Sequence, residues 1–152
     1  MLDIKDFKQR NEHIFDFPFS FHDQIYVDGF LKEADYSGHA GLVFRNKCAD
    51  DKHFAAVYPQ ICDLLNWISS NVTYIRKQTA EKLPPGVGFD IWKCDIVSFV
   101  LIVGKDDTVS ARIDYGSMEE AEYACEVEHY VTSIIKNNEI IQAYMPGLSC
   151  AK

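Results

Sequence analysis

The sequence predicts an α+β domain, a mainly antiparallel sheet packed against two or three helices, and three patterns carry that reading. Phe15, Phe17, Phe19 and Phe21 recur at period two, which places four rings on one face of an extended segment. Phe54, Tyr58, Ile61, Leu65, Ile68, Val72 and Ile75 recur at three and four residues, the spacing of one helical face. The run Val97 to Val103 is nearly all apolar and leads through Gly104-Lys105-Asp106-Asp107 into an alternating segment, Thr108 to Tyr115. That is the pattern of a hairpin within a sheet.

A chain of 152 residues suits one domain spanning 1–152. At this size folding removes roughly 68 to 70% of the unfolded chain's surface from water, so one core suffices without staples. With 47% apolar and 25% charged residues, the composition is that of a globular chain.

Taken in order, Leu2, Ile4, Phe7, Ile14 and Phe15 suggest a short amphipathic N-terminal helix. Pro18 has no N–H to donate and confines the phenylalanine segment to a sheet edge or a loop. The rings are expected to cover one margin of the core, with an exposed docking strip as the alternative. Gln24 to Leu31 and Gly41 to Asn46 read as two strands joined by a polar loop containing Asp35, Ser37 and Gly38. Pro59 predicts either a kink in the helical face or a helix that starts around it. Pro84-Pro85-Gly86 ends the helical region. Phe89 to Cys94 and Ile96 to Val103 read as extended, the latter as a central strand covered on both faces.

Ser117-Met118-Glu119-Glu120 has the form of a capping box and predicts a helix to about Lys136. Ala121, Ala124, Val127, Val131, Ile134 and Ile135 would form its apolar face, and Asn137-Asn138 would stop it. Glu139 to Met145 is expected to be a last strand.

The formal charge of −8 is unevenly placed. Residues 1–46 hold five bases and eight acids, residues 47–87 five and four, and residues 88–152 five and eleven. No Lys or Arg lies between Arg112 and Lys136, a stretch that carries Asp114, Glu119, Glu120, Glu122, Glu126 and Glu128. Such a field repels nucleic-acid phosphates and anionic lipid and draws basic proteins inward.

Motifs for chemistry are sparse. Cys48, Cys62, Cys94, Cys125 and Cys150 are spaced by 14, 32, 31 and 25, which makes neither a zinc cage nor a C-x-x-C pair. Five free thiols and a cytoplasmic setting follow as expectations, supported by an acidic N-terminus unlike a secretory leader. Ile96 to Val103 is far short of the roughly 20 residues that span a bilayer. His13, His22, His39, His53 and His129 show no metal-ligand spacing. Cys48 with His53 is a weak nucleophile and base pair, since dyads are set by fold geometry. Glu128 falls on the shoulder of the apolar face, where desolvation would raise its pKa, or where it would pair with Arg112. Gly86-Val87-Gly88 lacks the third glycine of a dinucleotide fingerprint.

These features point to a non-enzymatic acidic binding protein that needs no cofactor. Its partner would be a basic protein met through Asp114, Glu119, Glu122 and Glu126, as in an inhibitor or immunity protein that neutralises a cationic nuclease toxin. The alternatives are a small α+β enzyme or ligand-binding domain with a pocket between helices and sheet, and a structural or adaptor subunit. A pocket of roughly 300 Å³ with convergent polar groups would favour the former.

Overall fold

The computed structural model describes residues 3–27, 29–45, 50–83, 90–116 and 131–144. Nine strands lie in them: β1 (Lys8–Gln9), β2 (Ile14–Phe21), β3 (Gln24–Val27), β4 (Phe30–Glu33), β5 (Tyr36–Phe44), β6 (Asp95–Val103), β7 (Val109–Gly116), β8 (Val131–Lys136) and β9 (Glu139–Tyr144). Two helices, α1 (Asp51–Ser70) and α2 (Val72–Lys82), separate β5 from β6. Seven strands form one sheet in the order β1-β2-β5-β6-β7-β8-β9, and β3 with β4 forms a separate hairpin.

All neighbours in the large sheet are antiparallel except β5 and β6, which run parallel. A parallel pair needs a long crossover, and α1 with α2 supplies it. The α+β class and the mainly antiparallel sheet of the sequence reading therefore hold. Register puts Phe17 beside Ala40, Leu42 beside Leu101, Leu101 beside Ala111, and Ala111 beside Ile135. Because side chains alternate across a strand, these residues make one apolar face, and all are buried. Phe54, Val57, Ile61, Leu64, Leu65 and Ile68 of α1 join Val72 and Ile75 of α2 in the same core.

The phenylalanine segment is the margin of that core. Phe17 and Phe21 are buried, and Phe15 and Phe19 pack against it. Phe19 meets Phe99 edge-on at 5.1 Å between ring centroids, and Phe7 meets Phe17 at 4.7 Å. Pro18 fits because β1 pairs only with Phe15 and Asp16, which leaves β2 at the sheet edge from Phe17 onward. The bond from the Phe44 N–H to the His13 carbonyl (2.8 Å) fixes the phase of the ladder with β5. In that phase the even-numbered residues of β2 turn their backbone groups away from β5, so the missing donor of Pro18 costs no sheet bond.

Several expectations are corrected. In place of an N-terminal helix there is a single 3-10 turn, Ile4–Asp6. Gln24 to Leu31 is not one strand but most of the β3–β4 hairpin, which turns at Gly29 with φ +85°. Ser37 and Gly38 lie in β5, not in a loop. Pro59 stands inside α1, which begins eight residues earlier at Asp51 with the Asp50 carboxylate accepting from the His53 N–H (2.7 Å). Ile91–Lys93 is a 3-10 turn within the stretch expected to be extended. β6 is buried on one face and half-buried on the other.

The largest correction concerns the acidic helix. Val131–Lys136 is strand β8, between β7 and β9, so Val131 and Ile134 belong to a sheet and not to a helical face. β-branched residues at Val131, Thr132, Ile134 and Ile135 favour this pleated setting. Asn137 and Asn138, with φ of 53° and 59°, do not stop a helix but form a two-residue turn into β9. Asn is among the residues that reach this region most readily. The rest of the expected helix, with Ala121, Ala124 and Val127, lies outside the described residues.

Candidate partner-binding surfaces

The four residues expected to meet a partner are placed unevenly. Asp114 on β7 is only 8% exposed. Its carboxylate accepts from the Thr132 hydroxyl on β8 (2.6 Å) and from Nε of Arg112 (3.1 Å), so it serves the sheet and is not on an open acidic surface. Glu119, Glu122 and Glu126 lie outside the described residues, as do Glu128, Cys48 and His129. Arg112 has Asp114 as its partner. Neither Cys62 nor Cys94 forms a disulfide among the described residues, and the Cys94 thiol donates to the Asp90 carbonyl (3.3 Å). His53, named earlier as a possible base, bonds through Nε2 to the Asp107 carboxylate (2.8 Å), tying α1 to the β6–β7 turn.

A groove of about 790 Å³ lies between α1 and the edge formed by β2 and β5. Phe19, Gly38 and Leu65 give it an apolar floor, and Ser20, His39 and Asn66 bring polar groups to it. Gly38 helps to open it, since a Cβ there would meet nothing nearer than the Tyr36 hydroxyl at 4.0 Å. Cys62 also lines it, but among the described residues no hydrogen bond links Cys62 to His39. Burial and the neighbouring Cys62 push the Tyr58 phenol up to about 12, so it stays neutral at physiological pH. No group of three or more His, Cys, Asp or Glu fit to hold a metal occurs among the described residues. Nor is any helix among them long and apolar enough to cross a membrane.

The second surface is the β3–β4 hairpin. Phe30 is 77% exposed, Leu31 50% and Tyr26 41%. Half of the six exposed large hydrophobics on the described surface thus fall on this one short element. Tyr26 and Leu31 are cross-strand partners on one face, and the Trp92 ring meets Tyr26 edge-on at 5.9 Å. Ile25, on the other face, is buried against the body of the protein.

The hairpin is fixed at its base. Asp23, just before β3, accepts through its carbonyl from the Ala34 N–H (2.9 Å) and through its carboxylate from the Gln24 N–H (2.8 Å) and from Arg76 of α2. Arg76 also donates to the carbonyls of Ile91 and Cys94 (2.9 Å to the latter). Its guanidinium carbon stands 4.9 Å from the centre of the Tyr115 ring. Burial drives the Tyr115 phenol far above its ordinary value, with the Arg76 charge opposing.

Beside this base, His22 meets the Asp35 carboxylate through Nδ1 (2.5 Å) and the Glu33 carboxylate through Nε2. Two carboxylates facing two ring nitrogens favour the doubly protonated imidazolium, which can donate to both. The hydrogen bond to Asp35 and then the charge of Glu33 raise the His22 pKa above its ordinary value.

No protein-family model matches the chain, and neither a curated protein nor a solved structure matches it.

Proposed function

We propose that this protein is a non-enzymatic binding domain whose partner is a basic protein, in the manner of an inhibitor or immunity protein. The observation that carries the reading is the exposed apolar pair Tyr26 and Leu31 on one face of the β3–β4 hairpin, with Phe30 exposed on its opposite face beside the turn, in a molecule of net charge −8. Apolar side chains gathered on one element mark an interaction surface, and the acidic field sets the sign of the partner. Glu119, Glu122 and Glu126 are assigned to steering the encounter. Asp114, engaged by Thr132 and Arg112, contributes little of it.

The test is affinity capture from native extract at low and moderate salt, followed by association kinetics with the purified partner. A basic partner whose association slows as salt rises is the expected result, because exposed charges act through a field screened within about 10 Å at 0.1 M. Replacing Glu119, Glu122 and Glu126 by Lys should slow association and flatten its salt dependence. A partner set with no basic member would sink the reading.

The groove favours a second reading, a ligand-binding domain with its site between α1 and the sheet. Its volume lies within the roughly 300 to 1,000 Å³ of small-molecule sites. Ligand screening with chemical shifts read at Gly38, Leu65 and Asn66 separates the two readings.

A further inference from the structure

Among the described residues, the outer strand of the hairpin, β4, has a partner on one side only. Its backbone phase follows from the 2.9 Å bond between the Ala34 N–H and the Asp23 carbonyl. Hydrogen-bonded and open pairs alternate along an antiparallel ladder, so Ile25 with Lys32 and Val27 with Phe30 exchange bonds. Tyr26 with Leu31 and Gln24 with Glu33 do not. The N–H and C=O groups of Leu31 and Glu33 therefore point away from β3, on the side where no strand pairs with β4 among the described residues. Proline, a bulge or a covering loop commonly protects such an edge, and β4 has no proline or bulge while all four of its residues are exposed. By contrast, Pro18 guards the free edge of β2.

Leu31 and Glu33 also project their side chains to the same face, where Leu31 adjoins Tyr26, and Tyr26 adjoins Trp92. This edge thus offers one apolar position and, two residues on, one exposed carboxylate that a partner's basic residue would share with His22 and the Gln24 side-chain amide, each beside backbone groups ready to pair.

Resting on the basic-partner reading above, we infer that β4 receives an extended segment of that partner by antiparallel strand addition. The segment is one in which a Lys or Arg precedes a large apolar residue by two positions. Antiparallel pairing sets the later residue against Leu31 and the earlier one against Glu33, so the order is basic, any, apolar. Main-chain bonds supply the affinity and alternate side chains the selectivity. A second copy of the chain fits worse. Pairing β4 with itself about Lys32 or about Glu33 opposes like charges, which is destabilising, and in the remaining register, about Leu31, the two copies still each carry a net charge of −8.

The experiment uses two synthetic peptides of equal composition, one with the order Lys-Thr-Leu at its centre and the other Leu-Thr-Lys, each flanked by threonines. Binding is measured by NMR titration of the full chain, and amide exchange is followed at Leu31 and Glu33. The expected result is protection of those two amides and a preference of about fivefold for Lys-Thr-Leu, the size set by two cross-strand pairs. Leu31→Lys should abolish binding, and Glu33→Lys should abolish the preference, while both keep the spectrum of the folded parent. Equal affinities, no binding at millimolar peptide, or protection confined to the groove would overturn the proposal. So would sedimentation of the free protein as a dimer with Leu31 and Glu33 already protected. If a basic partner binds with full salt dependence and is indifferent to Leu31→Lys, strand addition fails and the functional reading stands. If the peptides bind as described but no basic protein is ever captured, the functional reading fails instead.

Discussion

Arg76 of α2 donates from Nη2 to the carboxylate of Asp23, which lies 53 positions earlier in the chain, and neither side chain reaches water, at 0% and 2% exposure. The pair joins the crossover helices to the base of the β3–β4 hairpin. Paired charges in such a place add little over an apolar substitute, but a single survivor is costly.

Asp23→Ala should accordingly lower the unfolding free energy by about 3 to 5 kcal/mol, because Arg76 is left buried with its charge unmatched. Urea denaturation measures this. The double variant Asp23→Ala with Arg76→Met should recover part of the loss. A double variant less stable than Asp23→Ala alone would show that the carbonyl bonds of Arg76 outweigh its pairing with Asp23.

Pro59, exposed and inside α1, leaves the Ala55 carbonyl without its helical donor. Pro59→Ala is therefore expected to raise stability, by about 1 to 3 kcal/mol, since proline in a helix interior costs about 3 kcal/mol relative to alanine. Thermal unfolding reads the change. A lowered melting temperature would mean that the proline ring itself contributes to the packing of α1.

At the β8–β9 turn, Asn138 holds φ of 59°. Asn138→Val should cost about 1 to 2 kcal/mol, as the left-handed region is strained for residues with a bulky Cβ, whereas Asn138→Gly should be neutral or stabilising. Equal stabilities by urea denaturation would argue against the tight turn, and with it against the β8–β9 register.

The His22 pKa is raised in the folded chain by Asp35 and then Glu33. A raised value means that the folded state holds the proton more tightly than the unfolded one. The resulting stability is complete below the unfolded pKa near 6.5 and disappears as pH climbs through the higher folded value. The His22 ring resonances should titrate above 6.5, and His22→Gln should make stability less dependent on pH across that window. Loss of the imidazolium also frees Glu33, so a strand with its basic residue opposite Glu33 should bind more tightly at pH 8 than at pH 6. A ring midpoint at or below 6.5 would remove both expectations.

Much of the fold was legible because some periods admit one reading. Four phenylalanines at period two suit no helix, and a face running from Phe54 to Ile75 suits no strand. Val131 to Lys136 was not legible in this way, because Val131, Ile134 and Ile135 satisfy a helical stripe as well as a buried strand. The neighbours β7 and β9 decide between them. Asp28-Gly29 between apolar runs is a hairpin signal that the longer strand reading passed over. The Asp23–Arg76 pair and the free edge of β4 depend on which distant segments meet, and local spacing does not encode that. Asp114 shows the same limit from the other side, since an acid within a negative stretch of sequence is here a hydrogen-bond acceptor inside the sheet.

The parallel joint between β5 and β6 also sets an order of assembly. β6 to β7 and β8 to β9 are joined by short turns, so each of these pairs closes through local contacts. β5 finishes at Phe44 while β6 begins only at Asp95, and their pairing must close the long segment that contains both helices. Closure over such a length is slow compared with hairpin formation. During synthesis β2 and β5 emerge early and can pair with each other, but the apolar face they share stays without its neighbour until β6 has left the ribosome. In that interval Phe19 and Phe21, which meet Phe99 of β6 in the folded chain, still lack that partner, whereas Phe15 and Phe17 can already pack on Phe54 and Phe7.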